Sequence, residues 1–481
     1  MDSSSPHSPS NSPIDPWIQE PPTSLWRSLR QIGPGIILAG TIVGSGELLL
    51  TTAIGAEFGF AFLWLILFSC VIKVFVQIEL GRYAISSGLP TLQALQNISK
   101  YRWVGTILLY WWLIMLLCTV FQLGGMTGGV GQCLNTAFPD LGTNVAVASH
   151  SVSTSFGDYF QNRPEMPWAI VTCLATILLI YHGSYRRIES LTTVIVVSVT
   201  IVTVIATIAL TYTDYAPRFQ DLLDGLKLKI PEKGIAKAFA VFGITGVGAT
   251  ELFYYPYWCV EKGYAKFVGP NDGSDAWETR AKGWIRVMHL DAWISMVVFT
   301  LSTIAFYTMG AAVLYPQGLV PKGSAMINAL SEMYIGPFGN WTQVLFLIGA
   351  SVVLFKTLYL SCAANSRMVT DFLSITGAIK TPTPQVKLLL IRTFSVLFPV
   401  VALILYFLQR DPQLMVKLGG IAQAATLPMM AFATLYFRYA KLTPRLKPSK
   451  LSDALLWVAS IAILIVAMYS VPDAVAKILA G

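Results

Sequence analysis

The chain has 481 residues, 54% of them hydrophobic and only 12% charged, with a formal net charge of +8. A mean hydropathy of +0.62 excludes a soluble globular protein and points to a polytopic membrane protein. The positive charge suits contact with anionic lipid headgroups, so the bilayer is the expected partner and nucleic acid is not.

Residues 1–28 form a Ser/Pro-rich stretch without periodicity, read as a disordered cytoplasmic tail. The rest, 29–481, reads as one transmembrane domain. Windows of roughly 20 apolar residues predict eleven spans, near 31–55, 61–83, 104–130, 168–184, 191–213, 235–262, 291–314, 341–365, 388–408, 415–437 and 454–475. The first is no cleavable signal, because a polar tail of about 25 residues precedes it. Span 3 carries Gly124, Gly125, Gly128 and Gly129, which favour close helix packing. The longest polar connections are 131–166 and 214–234. In the charged connection 263–288, an amphipathic run from Trp277 to Val287 is expected on the membrane surface. Counting loop Lys and Arg gives twenty on the side of the N-terminus against nine on the other. That asymmetry predicts a cytoplasmic N-terminus and an external C-terminus in a plasma (inner) membrane.

Six scattered cysteines without a CxxC pair, and histidines only at 7, 150, 182 and 289, argue against a disulfide scaffold, a zinc site or an imidazole relay. No Walker A loop, HExxH or nucleophile elbow is present, so neither an enzyme nor an ATP-driven pump is expected, and no cofactor.

Two phrases stand out in spans 1 and 6: Gly44-Ser-Gly-Glu47-Leu48 and Gly248-Ala-Thr-Glu251-Leu252. Each sets a carboxylate in an otherwise apolar segment, which is costly and usually functional. Each also lies among glycines, with Gly40, Gly44 and Gly46 in one and Gly243, Gly246 and Gly248 in the other. Glycine-interrupted spans in corresponding halves of a chain point to the binding site of a transporter. If the two are equivalent, residues 30–213 and 235–438 form two five-helix repeats of opposite orientation, with helix 11 appended. That is the all-α LeuT-type fold, with helices 1 and 6 broken.

Gly33-Pro-Gly at the head of span 1, with Gly44-Ser-Gly-Glu47 eleven residues on, resembles the opening of the Nramp family of proton-coupled divalent-metal transporters, which carries Asp-Pro-Gly-Asn at the second place. The resemblance continues through Glu79-Leu-Gly-Arg82, Gly248-Ala249-Thr250, Asn365-Ser-Arg, and Arg392 with Pro399, and covers most of residues 30–440. It implies a metal site at the breaks, but the residues depart from the family pattern. The metal-binding Asp and Asn are replaced by Gly44 and Glu47. The positions of the family's alanine carbonyl, methionine thioether and Pro-His pair hold Ala249, Leu252, Phe253 and Tyr254. Without the aspartate and the thioether, Mn²⁺ or Fe²⁺ transport in the family's usual way is not expected. An oxygen-only site suits hard cations or ammonium groups.

The candidate substrate site is therefore Gly44, Ser45, Glu47, Ala249, Thr250, Glu251 and Leu252, with Glu47 and Glu251 as metal ligands and either carboxyl as a proton carrier. Glu47 can alternatively make a structural hydrogen bond from a protonated carboxyl. Glu251, one residue from the family's methionine position and so turned by about 100°, can alternatively face away. Tyr254, Lys356, Arg392 and Gln423 are coupling or gating candidates, weighed against packing and structural pairing. Lys73, Lys356 and Arg392 are possible intramembrane partners for Glu251, and Lys356 could stand in permanently for a coupling ion. The leading function is a secondary transporter moving a cation, such as Mg²⁺ or Ca²⁺, by alternating access. The alternatives are a carrier of a small amine or amino acid, and a non-transporting sensor or scaffold.

Overall fold

Pro34 opens the first long helix, where its fixed φ and missing N–H are tolerated, and Asp291 from a distant helix caps the start. Its carboxylate accepts from the N–H groups of Gly33 at 2.9 Å and Gly35 at 2.6 Å. A Cβ on Gly35 would meet the Asp291 carbonyl at 2.6 Å, so the Gly-Pro-Gly head is a docking surface for this cap. The computed structural model describes residues 16–181, 184–229, 231, 242–243, 245–321, 326–379 and 382–479.

Eleven helices follow the predicted spans: α1 (Pro34–Phe58), α2 (Leu63–Ser87), α3 (Arg102–Ala137), α4 (Met166–Tyr181), α5 (Tyr185–Tyr212), α6 (Ala249–Lys262), α7 (Asp275–Leu314), α8 (Thr342–Ile375), α9 (Pro384–Leu408), α10 (Pro412–Lys441) and α11 (Lys450–Leu479). Among the described residues, nine of these are long and apolar enough to cross a membrane, α4 and α6 being shorter. Part of the predicted sixth span, 235–241 and 244, lies outside the described residues, as do residues 1–15 of the predicted tail.

α1 is the most enclosed of the long helices, with 94% of its most apolar window buried, against 22% for α5 and α9. It is a core element ringed by α5, α6, α7 and α8. The glycines of α3 do what span 3 predicts. A Cβ on Gly125 would lie 2.7 Å from the Pro412 carbonyl and one on Gly124 3.0 Å from that of Ala402, so α3 packs backbone-close to α9 and α10.

Two loop expectations change. The stretch 131–166 holds the end of α3 and two further helices, Asp140–Val152 and Thr154–Gln161. The amphipathic run Trp277–Val287 is the continuous first part of α7, and protein rather than headgroups covers its apolar face. Trp277 and Trp284 are each 1% exposed, and the Trp284 indole donates to the Gln19 carbonyl at 2.9 Å. Gln19 N–H in turn donates to Phe267 O at 3.0 Å, so the described end of the predicted tail lies across this helix.

Charged pairs gather at the end of the bundle where α1 begins. Glu79 accepts from Arg82 at 3.1 Å and Arg438 at 2.9 Å, and Arg438 also meets Asp453 at 2.7 Å. Arg367 pairs with Glu261 at 2.5 Å and Lys262 with Glu189 at 2.6 Å. These join α2, α5, α6, α8, α10 and α11 at one end.

Candidate functional site

Both glycine-rich spans are broken. In α1 the α-helical turn ends at Ile42, Val43 takes φ −68° and ψ 82°, and the chain resumes as a π-helix over Gly46–Thr51. In the sixth span residues 245–247 are bent, with Gly246 at φ +68° and Gly248 extended before α6 begins. Gly246 has to be glycine, because the left-handed backbone disfavours a side chain and a Cβ would sit 3.0 Å from the Cys70 Cα.

At each break a lysine from a neighbouring helix takes two backbone carbonyls, three residues apart. Lys356 of α8 donates to the carbonyls of Gly40, at 2.8 Å, and Val43. Lys73 of α2 donates to Phe242 O at 2.7 Å and Thr245 O at 2.5 Å. Neighbouring hydroxyls assist: Thr357 on Gly40 O at 3.3 Å, and Ser69 on both Phe242 O and Thr245 O at 3.0 Å. Both lysines are buried. The lysines expected as partners for Glu251 thus direct their donors to backbone carbonyls instead.

The repeated Gly-x-x-Glu phrase acts as half of a capping box, with the glutamate reaching back to the glycine three residues earlier. The Gly44 N–H donates to Glu47 Oε2 at 3.2 Å. The Glu251 carboxylate lies over Gly248, where a Cβ would come within 2.6 Å of Oε2. Beyond that the two diverge. Glu47 is 1% exposed, and its Oε1 has no hydrogen-bond partner within the protein. Glu251 instead lies in hydrogen-bond contact with the Thr250 hydroxyl at 2.8 Å and lines a cavity between α1, α3, α6 and α8.

That cavity measures about 20 Å³. α1 contributes Thr41; α3 contributes Thr119, Gln122, Leu123 and Met126; α6 contributes Thr250, Glu251 and Tyr254; and α8 contributes Thr357, Ser361 and Asn365. Tyr254 donates to Asn365 Oδ1 at 2.9 Å, while the Asn365 Nδ2 is buried with no partner within the protein. A chain of polar side chains leaves the cavity. The Thr250 hydroxyl is 2.8 Å from Gln423 Oε1, Gln423 Nε2 donates to Gln122 Oε1 at 3.0 Å, and Gln122 Nε2 donates to Ser45 Oγ at 3.3 Å. It links the α6 break to the α1 break through α10 and α3.

Of the predicted site residues, Thr250, Glu251 and Tyr254 face the cavity, and Ser45 and Gln423 belong to the chain leading from it. Gly44, Glu47, Ala249 and Leu252 are buried beside it without lining it. Arg392 does not line the cavity; its guanidinium is stacked over the Tyr181 ring at 5.4 Å. Sequence reading missed Thr41, Thr119, Met126, Thr357 and Ser361. Met126 also returns a thioether to a wall expected to hold only oxygen. Among the described residues no group of three or more His, Cys, Asp or Glu side chains comes together to hold a metal.

A family model described as natural resistance-associated macrophage protein-like (Nramp) matches residues 35–473. No curated protein matches the sequence. Among solved structures, a manganese transporter of Eremococcus coleocola, in complex with an aromatic bis-isothiourea substituted compound, is 16% identical. That match covers 96% of this chain and 91% of the other, with a TM-score of 0.66. Mhp1, a nucleobase-cation-symport-1 family transporter in a closed conformation with bromovinylhydantoin bound, is 15% identical over 95% of this chain and 94% of its own, with a TM-score of 0.56. MhsT in complex with L-phenylalanine is 15% identical over 94% and 100%, with a TM-score of 0.50. At such identities the likenesses speak to the fold, which is the LeuT-type one.

Proposed function

Because the chain belongs to the natural resistance-associated macrophage protein-like (Nramp) family, it is an Nramp-related secondary transporter, and we propose that its substrate is a small inorganic cation held in the cavity beside Glu251. The observation that carries this is the cavity itself. A volume of about 20 Å³ is enough for one water-sized occupant, whereas small-molecule sites run to roughly 300–1,000 Å³. Its wall offers one carboxylate, six hydroxyls and two amides, a donor set suited to hard cations such as Mg²⁺ or Ca²⁺. Met126 favours a second reading, in which a softer ion such as Mn²⁺ is accepted through the thioether.

Glu251 is the proposed ligand and Glu47 the brace of the α1 break, the structural alternative that the sequence leaves open for it. Hydrogen counting supports proton exchange at Glu251. With Gln423 oriented to donate to Gln122, the single Thr250 hydrogen serves Gln423 Oε1, and the contact with Glu251 then needs a hydrogen from the carboxyl. Exchange of that proton for a metal cation is the coupling we propose. The excess of Lys and Arg in loops on the N-terminal side supports a cytoplasmic N-terminus.

Reconstituted vesicles loaded with ion-sensitive dyes test the reading. Uptake of Mg²⁺ or Ca²⁺ that is lost in Glu251→Gln is expected. Uptake of Mn²⁺ that is lost in Met126→Leu would select the second reading. Uptake of an amine or amino acid with no ion flux would contradict both.

A further inference from the structure

We propose that Lys356 and Lys73 are tethered cations, filling with the chain's own ammonium groups the positions where the two broken helices would otherwise bind free monovalent ions. In transporters built on broken helices, unwound carbonyls and the C-terminal ends of half-helices are where coupling cations sit. The negative end of the helix dipole adds to the attraction. Here the Gly40 carbonyl has lost its usual partner, since the Gly44 N–H turns to Glu47 Oε2 instead. Lys356 Nζ takes that carbonyl and the Val43 carbonyl, with the Thr357 hydroxyl alongside. Lys73 repeats the arrangement on Phe242 and Thr245, with the Ser69 hydroxyl alongside.

A structural ion pair does not account for these lysines. Every hydrogen bond made by either ammonium goes to a backbone carbonyl, and among the described residues neither has a carboxylate at ion-pair distance. Taking an ammonium out of water is costly, yet the protein keeps two, one at each break, each on two carbonyls three residues apart. Carbonyls three residues apart plus one hydroxyl are also the beginnings of an oxygen cage for a free cation. Truncating the lysine should therefore uncover a site rather than only leave a hole.

The proposal does not depend on the identity of the substrate, so its test uses thermal unfolding of the purified full chain in detergent. The wild type should unfold at the same temperature in sodium, potassium or choline chloride. Lys356→Ala should unfold several degrees lower in choline chloride and recover, saturably, with Na⁺ or propylammonium, which restores the missing part of the side chain, but not with tetramethylammonium. Lys73→Ala should behave alike. Overturning results are a Lys356→Ala protein as stable as wild type in choline, or one whose loss no small cation repairs. If Lys356→Ala yields no folded protein, extraction in propylammonium should recover it, and failure there together with an unresponsive Lys73→Ala would also refute the idea.

Discussion

The α1 and α6 breaks carry the same Gly-x-x-Glu-Leu pattern, a buried lysine on two carbonyls and a glutamate folded back on the glycine, yet only Glu251 of the two glutamates faces the cavity. In α6 the helix starts cleanly after Gly248, and Glu251, in its first turn, turns toward α3 and α8 beside Thr250 and Tyr254. In α1 the chain resumes as a π-helix, whose wider turn places Glu47 back over Gly44. The same motif can therefore close a helix end in one half of the fold and present a ligand in the other, and the geometry after the glycine decides which.

The sharpest way to break this comparison is to neutralise each glutamate in turn. Glu251→Gln should weaken cation binding about 10–100-fold, as expected for losing a charged contact of roughly 1.5–3 kcal/mol, measured by calorimetry. Glu47→Gln should leave affinity within a few-fold and lower thermal stability instead. Equal losses of affinity would mean that both carboxylates bind the ion. A smaller effect is expected at the α6 bend. Gly246→Ala forces a side chain into left-handed backbone beside Cys70, costing about 1–2 kcal/mol, visible as a lower unfolding temperature. Gln423→Leu should cut the polar chain between the breaks and slow uptake while costing only about 1 kcal/mol of stability. The smallest effect belongs to Arg392→Ala, which should leave uptake within two-fold or so, since its half-buried guanidinium stacks on Tyr181, outside the cavity, in a cation–π contact worth about 1 kcal/mol.

The two breaks were legible because glycine and glutamate are both anomalous within apolar spans, and anomalies survive translation into structure. Lys356 and Lys73 were legible as intramembrane charges, but their partners were not. A backbone carbonyl freed by an unwound turn has no side-chain signature, so the sequence alone points to a carboxylate. The α3 wall was hidden for a different reason. Thr119 and Met126 recur at i and i+7, the spacing of one helical face, but nothing in the spacing says which neighbour that face meets. The glycine run on α3, read as packing, holds α3 backbone-close to α10, and Gln122 and Gln423 touch across the same pair of helices.

The most direct measurement is the position of a bound ion, read from anomalous diffraction of crystals grown with Mn²⁺ as an electron-dense probe and then competed with Mg²⁺ or Ca²⁺. A single peak between Glu251, Thr250 and the α3 and α8 walls, displaced by the competing hard ion and missing in Glu251→Gln, is the predicted result. A peak held by Glu47 and the carbonyls of the α1 break, with the Glu251 cavity empty, would contradict the account.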